Sequence, residues 1–461
     1  MAAKRTIQAL LIALAALLAV LVAVGLAYTV YENNNIFIEE SVYPADAESL
    51  DLREQEISIA HYEALQEELP QCQISWSIPF QGRRYPDDTR EITITSLLTD
   101  EVPVLAYLKN LRAVDAMECD DYEALQMLEE MLPDCDVQYQ VRLGGRELSK
   151  NCRKLSFEKG EVTAEELRET LPFLKVLREV HLVEPDLSAE DLLQLRETFP
   201  KVKFSWEKTV FGALLPDDIQ EVDISGMQNA SLEEIRRETA YLPGLQKLIM
   251  SDCGFDNQTM YDFREEMRPH YKVVWTVKVG RMRVRTDETY FMPTKYKQYV
   301  LDREIDPLYY CEDMICVDVG HHPIHHVDWV AGMPHLKYLI VADGPIRDIT
   351  PLSQLKEVVW LELFMTDIRD ITPLLSMTSL QDLNLARVPA DLKPLAQMKW
   401  LNNLWISGGW VSGSTVAYLR ENLPNTYIDA AHHHNCCGRG WRQLQNYYDM
   451  RDILGMPYFL D

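Results

Sequence analysis

The sequence predicts an α/β solenoid, with a parallel concave sheet and a helical or coil convex side, behind one N-terminal transmembrane helix. Three observations predict it. From Met314 onward, apolar residues recur with a 22-residue period. Upstream, a longer unit repeats on Pro70, Pro133 and Pro200. At the start, Ile7 to Val30 is a run of 24 residues without a charge. A fixed repeat period is the signature of stacked architectures, in which each repeat buries its apolar face only against its neighbours.

The first thirty residues predict a cytoplasmic stub and a signal anchor. As a helix, the uncharged run spans about 36 Å, enough for the roughly 30 Å hydrocarbon core. Lys4 and Arg5 precede it, which places the N-terminus in the cytoplasm and the remainder outside. Gly25-Leu26-Ala27 offers a small-residue cleavage site, so secretion after signal cleavage is the alternative. Residues 31–60 read as a linker. The net charge of −27 excludes a phosphate-binding surface, because nucleic-acid binding needs a basic footprint.

Residues 61–281 carry the longer unit. Each of the three prolines closes a helical pattern: "YEALQEELP", "LQMLEEMLP" and "LLQLRETFP". Alternating apolar residues follow (Cys72, Ile74, Trp76; Cys135, Val137, Tyr139; Val202, Phe204, Trp206), as in a strand with one buried face. A glycine stands twelve residues after each proline, at Gly82, Gly145 and Gly212. A second alternating pair starts ten residues later, at Ile92, Leu155 and Val222. These units read as a divergent extension of the downstream solenoid, with a separate domain of helix-and-hairpin units as the alternative. Residues 282–313 break both patterns and read as an insertion or hinge.

Residues 314–430 hold the regular repeats. The rows open on Met314, Leu336, Val358, Leu380 and Leu401, each followed by a strand pair: Val317 and Val319, Leu339 and Val341, Leu361 and Leu363, Leu383 and Leu385, and Leu404 and Ile406. "DITPL" closes two of them, at Asp348–Leu352 and Asp370–Leu374. In these motifs the chain resembles the leucine-rich-repeat family, most closely the internalin-type repeats of bacterial surface proteins. The resemblance implies parallel strands on a concave face and a binding role at the cell surface. One departure stands out: the slot that holds a turn asparagine in such repeats holds His322, Gly344, Thr366 and Val388. The last stretch, 431–461, carries Trp441, Leu444 and Tyr448 at helical spacing and reads as a cap over the final coil.

Side chains between the strand leucines point out of the concave face. That places Tyr338, Trp360, Glu362, Phe364, Asp382, Asn384 and Trp405 together, an aromatic and acidic patch of the composition that binding hot spots use. The expected partner is a protein, peptide or glycan, with no nucleic acid, no catalysis and no cofactor. The competing reading is a metal- or thiol-dependent surface enzyme using zinc or copper. It rests on His321, His322, His325 and His326 in "HHPIHH", and on His432, His433 and His434 in "HHHNCC". No H-E-x-x-H spacing supports it. A non-binding structural scaffold is the third reading. "LPNT" at Leu423–Thr426 begins like a sortase signal, but Tyr427 follows where glycine is needed. Nine cysteines spread thinly make no dense disulfide framework.

Overall fold

The computed structural model describes residues 2–408, 411–431 and 440–458. It divides into two compact units, Met1–Glu207 and Lys208–Asp461.

The first unit opens with a single helix, Ala2–Asn33. Within it, the 26 residues Gln8–Asn33 are long and apolar enough to cross a membrane, with a mean hydropathy of 3.0 over their most apolar window, which is unburied. Residues 31–60 are not a bare linker. Asn35–Ile38 and Ser41–Pro44 form an antiparallel hairpin, and Ser49–Leu52 pairs in parallel with Gln73–Phe80.

Short parallel ladders follow. Glu91–Thr93, Ala113–Asp115 and Asp136–Gln138 form one. Lys154–Phe157 and Glu179–Val183 continue in the next, where Val180 and Leu182 pair with Phe204 and Trp206 of the strand Lys203–Val210. The register stacks apolar on apolar: Leu155 on Val180 on Phe204, and Phe157 on Leu182 on Trp206. Each proline does what its pattern predicts. The helices Ile59–Glu68, Tyr122–Met131 and Ala189–Thr198 stop one residue before the pre-proline position. Leu69, Leu132 and Phe199 then turn away from helical geometry, with φ near −120°, because a following proline disfavours the α region.

The repeated glycines sit at hairpin tips. Gln81 and Gly82 have φ of 46° and 72°, and Gly144 and Gly145 have 60° and 69°. Two successive left-handed residues are what a two-residue hairpin turn requires, and glycine adopts them without a Cβ clash. Each hairpin ends one parallel ladder before the next begins.

The second unit contains a three-stranded parallel ladder, Glu221–Asp223, Lys247–Ile249 and Lys272–Val274. After the hairpin of Thr276–Val279 and Met282–Arg285 comes a seven-stranded parallel sheet. Its strands are Tyr290–Phe291, Cys316–Asp318, Tyr338–Ile340, Trp360–Glu362, Asp382–Asn384, Asn403–Trp405 and Tyr427–Asp429. One apolar row runs through it in register: Val317, Leu339, Leu361, Leu383, Leu404 and Ile428. The stretch read as an insertion therefore supplies the last hairpin strand and the first strand of this sheet.

The "DITPL" motif has a local cause. Asp348 and Asp370 accept the backbone N–H groups of Thr350 and Thr372, both at 2.9 Å. Proline then opens the short 3₁₀ turns Thr350–Gln354 and Thr372–Ser376, where its missing N–H costs nothing. Leu352 and Leu374 are buried behind them. On this convex side the turns pack closely. A Cβ on Gly332 would stand 1.6 Å from the Tyr309 carbonyl oxygen, so only glycine fits.

At the strand exits, His321, Asp343, Met365 and Arg387 each take a left-handed φ of 54° to 64°. Each donates its N–H to the next coil: His321 to Ala342, Asp343 to Phe364, Met365 to Ala386 and Arg387 to Ser407. The following slot lacks asparagine, and the coils settle it individually. His322 Nδ1 accepts the Val300 N–H at 3.2 Å, and Thr366 Oγ1 donates to the Leu363 carbonyl at 2.8 Å.

Candidate functional site

The seven residues expected to line an open concave face do converge on one face of the second unit's sheet, but they do not face solvent. Tyr338, Trp360, Glu362, Phe364, Asp382, Asn384 and Trp405 are all buried, none more than 6% exposed. The stretch read as a cap over the final coil covers them. Trp441–Gln443 forms a 3₁₀ turn and Gln445–Leu454 a helix. Trp441, Tyr447, Met450 and Leu454 pack into one apolar cluster with Tyr338, Trp360, Phe364 and Trp405. The segment crosses from the Asn403–Trp405 strand toward the Tyr290–Phe291 strand.

The contacts are specific in order. The Trp441 ring lies 4.1 Å from that of Trp360 and 5.0 Å from that of Trp405, centroid to centroid. Glu362 Oε1 accepts two indole N–H groups, from Trp360 at 3.1 Å and Trp441 at 3.0 Å. Asp382 is gripped at both oxygens by amide N–H donors, Asn403 and Asn446, each at 2.7 Å. Burial pushes the Asp382 carboxyl above the usual carboxylate range, and these two donors pull it back. Further along, Lys295 Nζ donates to the Leu454 carbonyl at 2.8 Å. Arg451 is buried and closes the segment on itself, donating to the Pro457 carbonyl at 3.0 and 2.6 Å.

Of these tail residues the sequence pattern marks only Trp441. The spacing Trp441, Leu444, Tyr448 marks residues that pack in or against this cluster, but it misses the helix's most buried stripe. The buried stripe is Tyr447, Met450, Arg451 and Leu454, which follows i, i+3, i+4, i+7. An arginine inside that stripe hides it from an apolar count.

The histidines of "HHPIHH" do not converge. His321 Nδ1 lies 2.8 Å from Asp343, and His325 Nδ1 lies 2.7 Å from Asp302. His326 lies 3.3 Å from Asp306 and 3.2 Å from Asp328. His322 turns inward to the Val300 N–H. Four rings thus address different partners, and among the described residues no three His, Cys, Asp or Glu side chains meet where an ion could sit. His432, His433, His434, Cys436 and Cys437 lie outside the described residues. The other seven cysteines are free thiols. Burial raises the thiols of Cys72, Cys119, Cys135, Cys253 and Cys311, the last to about 12, which is opposite to what an activated nucleophile needs.

No family model matches the chain, and no curated protein matches it. Solved structures that it resembles include an internalin, InlF, of Listeria monocytogenes, at 15% identity over 81% of this chain and 94% of that one, with a TM-score of 0.26. Internalin C2 of the same organism is 17% identical over 48% of this chain and 87% of its own, TM-score 0.26. A leucine-rich-repeat protein of Leptospira interrogans is 13% identical over 73% and 93%, TM-score 0.25. At such values the likeness has no bearing on function, and the fold rests on this chain's own geometry. By its period, its strand register and its 3₁₀-backed turns, the second unit is built as a leucine-rich-repeat array.

Proposed function

We propose that the protein is a membrane-anchored, extracytoplasmic interaction protein whose concave groove recognises an amphipathic helical segment, held here in cis. The observation that carries this reading is Glu362, a buried carboxylate satisfied by one indole from the sheet and one from the tail. That arrangement makes the groove selective for a helix led by a tryptophan in the preceding turn. Of the protein, peptide and glycan partners expected at a cell surface, a helical peptide has the matching chemistry. Tethering raises the effective concentration of the tail to about millimolar, so a partner in trans must bind more tightly or be present in excess. No catalytic step belongs to this reading.

A specific-protease sequence introduced between Ala431 and Gly440 tests it. After cleavage, the tail should stay bound and exchange with a labelled peptide of residues 440–458. The same peptide carrying Trp441→Ala should bind at least about a hundredfold more weakly, since losing a buried tryptophan costs roughly 3–5 kcal/mol. A second reading, a structural scaffold with no ligand, is favoured by the filling of the face. It wins if the cleaved tail never exchanges and its removal unfolds the unit.

The anchor has its own test. The full chain should remain in the membrane pellet after alkaline extraction, and a reporter fused after Asp461 should respond as extracytoplasmic. Release of the chain into the medium would favour the cleaved-signal alternative.

A further inference from the structure

A cavity of about 340 Å³ opens beside the concave sheet, between the hairpin strand Met282–Arg285 and the strand Tyr290–Phe291. Met282, Val284, Phe291 and Met292, with the ring of Tyr290, form its apolar part, and Arg281, Arg283, Glu288 and Gln298 form a polar part of similar extent. Its volume falls at the small end of the range for ligand sites, about 300–1,000 Å³. Two methionines among the walls let them adapt to side chains of different shape.

The polar rim is unusual in what it leaves unused. Two of the three arginines around this hairpin strand are engaged: Arg283 pairs with Asp252, and Arg285 with Asp287 at 2.8 and 2.6 Å. The third, Arg281, lines the cavity, is exposed and makes no ion pair with a described residue. Glu288 lines the same cavity, is exposed and likewise makes no ion pair with a described residue. A guanidinium and a carboxylate thus share one small cavity without neutralising each other. Gln298 adds an amide to the same rim.

From this pairing of opposite charges around apolar walls we infer that the cavity binds a free α-amino acid with an apolar side chain. Arg281 would take its carboxylate and Glu288 its ammonium, while the side chain enters between Met282, Val284, Phe291 and Met292. A simple anion meets Glu288, and a simple cation meets Arg281, so each is disfavoured by one rim charge. A zwitterion satisfies both. The cavity adjoins the groove filled by the tail, since Met292 and Tyr290 pack in the same apolar cluster as the tail residues, but the inference does not depend on the groove's function.

The test is calorimetric titration of the full chain in detergent with L-phenylalanine, N-acetyl-L-phenylalanine, L-phenylalaninamide and glycine. L-Phenylalanine should bind. Blocking either charge should weaken binding about tenfold, the effect expected for losing a charged hydrogen bond. Glycine, with no side chain to bury, should be weaker still. Arg281→Gln should remove the preference for phenylalanine over its amide. Glu288→Gln should remove the preference for phenylalanine over its N-acetyl form. Both substitutions are at exposed positions, and circular dichroism verifies that each variant is folded. Equal affinity for free and blocked forms in the wild type overturns the inference. So does the absence of binding at millimolar phenylalanine, or tighter binding of the N-acetyl form.

Discussion

Trp360 and Trp441, 81 positions apart in sequence, donate their indole N–H groups to the same oxygen of Glu362. The carboxylate is 6% exposed and both indoles are fully buried. Removing the shared acceptor strands two donors away from water. Glu362→Leu should therefore destabilise the second unit by about 3 kcal/mol, from the roughly 1–3 kcal/mol each orphaned buried donor costs. Glu362→Gln keeps a carbonyl acceptor and should cost less than half of that. Urea unfolding followed by tryptophan fluorescence measures both, and equal losses would mean that the shared acceptor is not what matters.

Asn446 makes the second polar link between tail and sheet, and its loss leaves one Asp382 oxygen buried without that donor. Asn446→Ala should cost roughly 1–3 kcal/mol. Asp382→Ala alone removes the acceptor of Asn403 and leaves Asn446 only its longer bond to Gln381 Oε1, at 3.3 Å, and the double variant should cost less than the sum of the single ones, because the partners share one network. Additive losses would place Asn446 outside the network. The readout is again urea unfolding, supported by amide exchange across Gln445–Leu454, which should quicken in both single variants.

The coil period was legible in the sequence because a stacked coil needs an apolar residue at every second strand position, and Val317, Leu339, Leu361 and Leu383 meet that need in plain view. The hairpin tips were half legible. Gly82, Gly145 and Gly212 recur at a fixed offset from proline, and the turn they make follows from their left-handed φ. The filling of the groove was not legible. Periodicity assigns Trp360 and Trp405 to the outer side of the strands, but it carries no information about what lies on that side. Only the pairing of residues some eighty positions apart answers that, and it depends on tertiary packing. Segment 282–313 was misread for a related reason: its strand, Tyr290–Phe291, is two residues long and too short to show a period.

The dispersed geometry of "HHPIHH" predicts that it holds no structural metal. Zinc content after chelation and re-addition should be the same in the wild type and in a variant with His321, His325 and His326 changed to alanine. If the variant loses an equivalent of zinc, the ring positions described here are not those of the metal-loaded protein. If metal is retained by both, it is held by residues other than His321, His325 and His326.

His322 gives the array a pH dependence of defined sign. Its ring is 2% exposed, Nδ1 accepts the Val300 N–H, and Nε2 has no partner among the described residues. Tyr299 packs edge-on against it at 5.2 Å, and the charge of the adjacent His321 acts on it. Burial, with a smaller contribution from His321, lowers its pKa below the ordinary value of about 6.5. The unfolded chain therefore takes up a proton at higher pH than the folded one. The stability this group contributes is complete above about pH 6.5 and is lost as pH falls through the depressed folded value. Protonation also puts a hydrogen on Nδ1, which then can no longer accept from Val300. His322→Asn offers a neutral acceptor in the slot that asparagine fills in the repeats this chain resembles. The variant should keep the Val300 amide protected and lose stability less steeply between pH 7.5 and 5.5 than the wild type. Because the comparison is between two chains that share every other titrating group, the remaining histidines cancel. Parallel stability curves would show that His322 is already charged in the folded state, or that its bond to Val300 contributes nothing.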